Sequence, residues 1–251
     1  MKSRSWLGAA RTLALVACLA AAWQILYWTV GEVALRSPAQ TVAETVRLVG
    51  SSTFWPHLSE TAKAFAFALA IAVAAGLTIG FALGFGRLLG EIFEPMLVAV
   101  YSIPKITLYP ILLLVFGLGM PAKVAFGAIH GVIPIALFTL NAVRNIRPVL
   151  LKTARVLRLG TYDLVSGVLL PAALPEIFAG LRIGFALTLI GTLLGEMFAS
   201  QRGLGFLLMN AIGLHNVDLT MAVTFLVVVF AAVVSGVLLK IDRRLQARAS
   251  R

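Results

Sequence analysis

The sequence predicts an all-α polytopic membrane protein with six transmembrane helices, on three observations. Of 251 residues, 60% are hydrophobic and 12% charged, with a mean hydropathy of +0.98, whereas roughly a quarter of a soluble domain is charged. Apolar runs of about 20 residues, the length that crosses a core of about 30 Å at 1.5 Å per residue, recur six times. The basic residues gather at the ends of those runs. The spans fall at about residues 13–30, 61–85, 92–118, 123–143, 175–199 and 219–239, with a polar loop over 144–174, in one domain covering 1–251. Fourteen of the 21 Lys and Arg flank the termini, Arg87 and the 144–174 loop. That asymmetry puts both termini and the loop on the cytoplasmic side. The net charge of +11 is distributed over span ends with no basic and aromatic face, which excludes nucleic acid. A single cysteine, Cys18, excludes an internal disulfide and a cysteine-based metal cluster.

Lys2, Arg4 and Arg11 precede the first span. Leu15 to Cys18 resembles a lipoprotein cleavage box, but the apolar run continues to the interfacial pair Tyr27 and Trp28, so the span is read as retained. Ser37, Pro38 and Gln40 form a capping box that starts a short helix ending near Gly50, with Val42, Val46 and Val49 on one face. In the second span Gly76, Gly80 and Gly84 lie four apart, a face that another helix can approach closely. The pairs Gly127 with Gly131, Gly180 with Gly184 and Gly191 with Gly195 repeat the pattern in later spans, arguing for a tight bundle.

Gly86 to Gly90 reads as a turn, and Pro95, Pro104 and Pro110 predict a bent, interior-facing third span. Lys105 sits near its midpoint, where a charge costs at least about 2.5 kcal/mol. It is either a pathway-lining cation for an anionic or polar solute, or a lysine paired with an acid or wetted by a vestibule. After a turn at Gly119 to Pro121, the fourth span carries Pro134 and His130, the latter read as a packing residue. In the fifth, Arg182 can snorkel from near the cytoplasmic end. Glu196 lies near the outer end, before Gln201 to Gly205, and by position alone reads as an interfacial acid. Lys240, Arg243, Arg244, Arg248 and Arg251 follow the sixth span.

The loop from Arg144 to Pro175 carries Lys152, Arg155 and Arg158 at three-residue spacing beside Leu151, Ala154 and Leu157. This predicts a short cytoplasmic helix within Lys152 to Leu164 whose apolar stripe is covered by a membrane surface or by a soluble partner. Ala154, Val168, Leu170 and Pro171 fall on a pattern of E-A-A, three residues, G, nine residues, I, one residue, L-P; Lys152 and Thr153 stand at its E and first A, Arg158 at its G, and Gly160 two residues later. The loop thereby resembles that of the membrane subunits of bacterial ABC importers. The run from Leu169 to Leu208, with its LP, LP, GLR, GE and GLG steps, and the segment Ile103 to Pro110 resemble the nitrate, sulfonate and taurine branch of those permeases. The likeness covers roughly residues 37 to 240.

That resemblance implies a type I ABC importer permease fold with a cytoplasmic coupling helix, in a bacterial inner membrane. It implies that Lys152, Thr153, Ala154, Arg155, Leu157, Arg158, Gly160 and Asp163 couple the chain to an ATPase, and it makes Lys105 and Glu196 the candidates on the translocation pathway, Glu196 through gate hydrogen bonding or contact with the binding protein. The implied partners are a second copy or a paralogous permease, two ATP-binding subunits, a periplasmic binding protein and membrane lipid. ATP and Mg belong to the ATP-binding subunits, and no cofactor or metal to this chain, which has no phosphate loop of the form G-x-x-x-x-G-K-[ST]. The implied solute is small, anionic or polar. The alternative is a self-contained secondary transporter or channel, which would favour repeated halves and several intramembrane acids; no half repeats and Glu196 is the one acid near a span interior. An intramembrane enzyme lacks its inventory: no H-E-x-x-H or G-x-S-x-G occurs, so no catalytic residue is expected.

Overall fold

The computed structural model describes residues 2–249, with side chains over 10–243 except at Arg87 and Ala199. Arg251, and the side chains of Lys2, Arg4, Arg87, Arg244 and Arg248 used in the charge count, lie outside that description. No strand occurs among the described residues. The helices are α1 (Lys2–Val30), α2 (Pro38–Gly50), α3 (Phe54–Phe85), α4 (Arg87–Ser102), α5 (Tyr109–Phe116), α6 (Met120–Arg144), α7 (Pro148–Val156), α8 (Thr161–Leu164), α9 (Leu170–Ala199), α10 (Leu204–Gly213) and α11 (Val217–Ala249). Among the described residues, five stretches are apolar and long enough to span: Ala10–Val30, Phe54–Phe85, Met120–Arg144, Thr161–Phe198 and Val217–Arg243. The pair Leu88–Ser102 and Lys105–Phe116, bent by 85°, makes the sixth. The all-helical, six-span expectation therefore holds.

Prolines and glycines explain the departures from straight helices. Pro104 forbids helical geometry at Ile103, which is extended (φ −66°, ψ 133°), so α4 stops at Ser102. The third span is thus broken, where a bend was expected. A 3₁₀ turn, Lys105–Leu108, leads into α5. Ahead of Pro171, which has no N–H to donate, residues Val165–Leu169 widen into a π turn, with the Leu170 N–H donating to the Val165 carbonyl. Helix α8 therefore runs through the π turn into α9, and the segment around Pro171 is helical where the sequence reading placed loop. Gly86 alone separates α3 from α4, so the expected turn over Gly86 to Gly90 is a one-residue break. Helix α10, absent from the sequence reading, follows Gly203.

The chain forms two compact units, Met1–Pro56 with Leu207–Val229, and His57–Phe206 with Phe230–Arg251. In the first, the Ser37 capping box is complete: Ser37 Oγ accepts from the Gln40 N–H (3.3 Å) and Gln40 Oε1 from the Ser37 N–H (2.9 Å). Helix α2 buries Thr41 and leaves Val42 and Val46 exposed, so its apolar face is the one turned outward. Trp23 Nε1 donates to the Arg36 carbonyl (3.0 Å), and Arg36 grips Asp218 through Nε (2.5 Å) and Nη2 (3.0 Å). Next to it Tyr27 donates to Glu32 (2.9 Å), and this bond, with one from Gln40 and the charge of Arg36, holds the Glu32 carboxyl below its usual range.

The second unit is built on close approach of α3, α6 and α9. A Cβ at Gly76 or Gly84 would come within 2.7 or 2.8 Å of Ile135 or Val143, and one at Gly80 would collide with Thr139. One to two turns along α6, a Cβ at Gly127 or Gly131 would strike Thr192 or Thr188 of α9 and crowd Ala68 or Ala72 of α3. Gly180, Gly184 and Gly191 of α9 in turn admit Phe138, Ile135 and His130. His130 Nδ1 bonds the Phe126 carbonyl (2.8 Å), so it packs, as read. Helix α5 joins this core through Tyr109, whose hydroxyl donates to the Gly195 carbonyl (2.5 Å) beside Phe126. Ion pairs lie at the far end: Arg144 with Glu94 (2.6 Å) and Glu91 (4.0 Å), and Arg182 with buried Asp242 (3.5 Å). Arg182 is therefore paired within the protein, where snorkelling was expected.

Overpacking a filled interface costs about 1–3 kcal/mol. Gly131→Val should lower the unfolding temperature of the detergent-solubilised protein by that cost, while Gly236→Ala, which meets nothing within 4 Å, should leave it unchanged.

Candidate functional site: a buried ion cluster and a basic turn

The first turn of α6, the last turn of α9 and the start of α3 meet where Gly195 brings the two helix backbones together, a Cβ there falling 3.0 Å from Lys123 Cα. Into this junction project Lys123, 1% exposed, and Glu196, 0% exposed. Lys123 Nζ donates to Glu60 Oε1 (2.9 Å), Ser200 Oγ (3.2 Å) and the Arg202 carbonyl (3.2 Å), and lies 3.7 Å from Glu196 Oε1. Glu196 accepts from Thr61 Oγ1 (2.8 Å) and from the Gly205 N–H (3.0 Å). Thr61 Oγ1 itself accepts the Leu204 N–H (2.8 Å), which commits its one proton to Glu196. Thr61 and Gly205 thus converge on Glu196 Oε2, while Oε1 faces the Lys123 ammonium.

The 200–205 turn is folded around that carboxylate. Gly203 takes φ +127°, and a Cβ on it would run into the Glu196 carboxyl; one on Gly205 would strike the Leu193 carbonyl. The Gly203 N–H donates to His57 Nδ1 (3.1 Å), whose ring stacks on Phe206. Above the cluster opens a cavity of about 490 Å³ lined by Glu60, Leu118, Gly119, Ser200, Gln201 and Arg202. The cluster fixes the turn at the mouth of this cavity and is undone only by moving α3, α6 or α9.

Lys105 is not part of it. Its Nζ donates to the Tyr101 carbonyl (3.0 Å) and sits 4.9 Å over the Tyr101 ring. In an unbroken helix that carbonyl would accept the Lys105 N–H; the break orphans it and the side chain replaces the lost donor. Lys105 thus caps the end of α4, its ammonium bonded to a carbonyl and not to an acid. Lys123, the first residue of the predicted fourth span, is the one the sequence reading did not single out.

At the opposite end of α6 lies the basic turn. Helix α7 ends at Val156, earlier than the sequence reading, and the chain turns over Leu157 to Gly160 before α8. The end is a Schellman motif: the Leu159 N–H donates to the Ala154 carbonyl (3.1 Å) and the Arg158 N–H to the Arg155 carbonyl (3.1 Å). Arg158 therefore sits in the left-handed region, φ +52°, where glycine is favoured. Ala154 is buried, and Leu151, Leu159 and Leu164 surround a cavity of about 480 Å³ beside it. Leu157, expected to continue the apolar stripe, is the helix C-cap and 63% exposed. Lys152, Thr153, Arg155, Gly160 and Asp163 are also exposed, Thr153 bonding the Val149 carbonyl (3.0 Å).

The family described as "Binding-protein-dependent transport system inner membrane component" matches residues 72–250. The chain is 28% identical over 201 residues to a putative aliphatic sulfonates transport permease protein of Bacillus subtilis, covering 79% of this chain and 73% of that one. It is 27% identical over 231 residues to the taurine transport system permease protein of Escherichia coli, covering 88% and 84%. Its fold is similar to a chain of the MetNI methionine ABC transporter in an inward-facing conformation, with a TM-score of 0.65 at 20% identity over 78% of this chain and 99% of that one.

Removing one member of a buried ion cluster costs about 3–5 kcal/mol, because the remaining charge is stranded. Lys123→Met should destabilise the solubilised protein by that amount in thermal unfolding, and adding Glu196→Gln should recover part of it. At the turn, Arg158→Gly should raise stability by about 1 kcal/mol through relief of the left-handed backbone, read by the same unfolding assay.

Proposed function

The chain belongs to the family of binding-protein-dependent transport system inner membrane components, and on that premise we propose that it forms the translocation pathway of an ATP-driven importer for small anionic or polar organic solutes. The observation that carries this reading is the basic turn after α7. It lies at the end of α6 away from the buried cluster, its tip is exposed, and Arg158 holds a left-handed backbone where the importer pattern has glycine. In this reading the residues from Lys152 to Asp163 dock on an ATP-binding subunit, which supplies ATP and Mg; this chain binds no cofactor. Two copies, or one copy with a paralogue, face each other across the pathway. A periplasmic binding protein delivers solute at the Lys123 and Glu196 end, and both termini lie in the cytoplasm. The sulfonate and taurine permeases among the relatives support an anionic solute.

Force travels along α6. Helix α7 follows it after three residues, and the glycine contacts leave α6 and α9 no room to slide, so a push on the turn moves them together. The Lys123 to Glu196 junction, at the other end of both helices, then moves with the 200–205 turn. Lys105 and Glu196 act here through helix ends and turn position, not by holding solute.

Leu157→Asp puts a charge at the exposed tip and should abolish ATP-dependent taurine or alkanesulfonate uptake in cells while leaving the membrane level of the chain unchanged. Wild-type uptake by this variant would sink the docking reading.

A further inference from the structure

Arg147, Lys152, Arg155 and Arg158 are exposed and have no ion-pair partner among the described residues, whereas Arg144, one step earlier, is tied to Glu94 and Glu91. Asp163 is the one acid from Arg147 to Leu164, so this short segment keeps a net charge of +3, four cations against one anion. Between the cations stands a small apolar tip: Val156 and Tyr162 are each 82% exposed, next to Leu157.

Two surfaces could receive such a segment, an anionic membrane or an acidic groove on a protein, and the geometry separates them. A helix that lies on lipid turns a continuous apolar stripe to the acyl chains. Here there is no flat stripe: Ala154 is buried, and half-buried Leu151, Leu159 and Leu164, with Arg155 and Arg158, line a concave cavity of about 480 Å³ beside it. What remains apolar is a tip formed by the end of one helix and the start of the next, a shape that fits a pocket. Charges around an apolar tip are the arrangement of a polar rim around an interface core. The left-handed backbone of Arg158 keeps a guanidinium on that rim at the position that favours glycine.

We propose that the segment from Arg147 to Leu164 docks into an acidic groove of the ATP-binding subunit, a groove with an apolar pocket for Val156, Leu157 and Tyr162 and carboxylates facing Lys152, Arg155 and Arg158. The inference rests on the docking reading above and adds the chemistry of the partner surface. Rim charges of this kind set association rate, salt dependence and partner choice more than total affinity. The chain therefore discriminates against ATP-binding subunits whose groove is neutral or basic.

The test uses the full chain in nanodiscs of zwitterionic lipid and the ATP-binding subunit purified with it from the native membrane, separated and mixed again. Kd is measured at low and high salt for the wild type, Lys152→Gln/Arg155→Gln, Lys152→Glu/Arg155→Glu and Leu157→Asp, each checked for monodisperse elution. The expected result is a wild-type Kd that rises about tenfold with salt, as screening removes several exposed pairs. The double glutamate variant should bind about tenfold more weakly at low salt with a flatter salt dependence, and the glutamine variant in between. A Kd indifferent to salt and to charge reversal, with Leu157→Asp still disruptive, overturns the acidic groove and leaves docking intact. Wild-type binding by all three variants overturns both. A charge dependence that emerges only when anionic lipid is added assigns the basic rim to headgroups and overturns the proposal.

Discussion

Close approach of the α3, α6 and α9 backbones is the constraint on which the described site depends, because in a hydrocarbon solvent apolar side chains gain little by leaving lipid for protein. Association then has to come from packing area and from polar groups that find partners. Glycine supplies the first: Gly76, Gly80 and Gly84 bring α3 onto α6, and Gly127 with Gly131 brings α6 onto α9. The same device at Gly195 brings the Lys123 backbone close enough to α9 for its ammonium to reach across to Glu60, Ser200 and the Arg202 carbonyl. A bulkier residue at 195 would part the helices and leave charges without partners.

The polar groups in turn shape the irregular backbone. Unsatisfied N–H and carbonyl groups are costly at membrane depth, so every break in a helix needs a substitute partner. The 200–205 turn finds them in Glu196, Thr61 and His57, and the break after Ser102 finds one in Lys105. Each titratable side chain in these places completes a hydrogen-bond ladder that the chain interrupts. Such fully partnered junctions have few intermediate arrangements, which suits parts that shift as bodies between discrete states.

Local signals were legible where a residue type has one backbone consequence. The Ser37 box and the glycine faces fall in this class, and so does the six-span pattern, whereas the prolines of the third span announced a bend and Pro104 made a break. Misreadings arose where the decisive partner is distant in sequence. Lys123, just after a glycine and proline turn, looks like a surface charge, and only Glu60 and Glu196, on other helices, make it a buried one. The early end of α7 was hidden because Arg158, not glycine, occupies the left-handed position, while Gly160 two residues on suggests a later stop. Helix α10 was missed because ten residues of Leu204–Gly213 are too short to mark a span and too apolar to mark a loop.

The order of the charged groups along the chain carries a consequence for how the protein is made. Glu60, Lys123 and Glu196 are synthesised as acid, base, acid, with about seventy residues between the last two, roughly 4 to 14 s of translation at about 5–20 residues per second. When Lys123 emerges, Glu60 is already in place on α3, so the ammonium has a counter-ion from the moment its helix leaves the insertion machinery. Glu196 arrives last, to a lysine already anchored, and draws the following turn down around itself as it enters. The complete junction therefore needs residues from three helices made at three different times, and it cannot close before the fifth span exists.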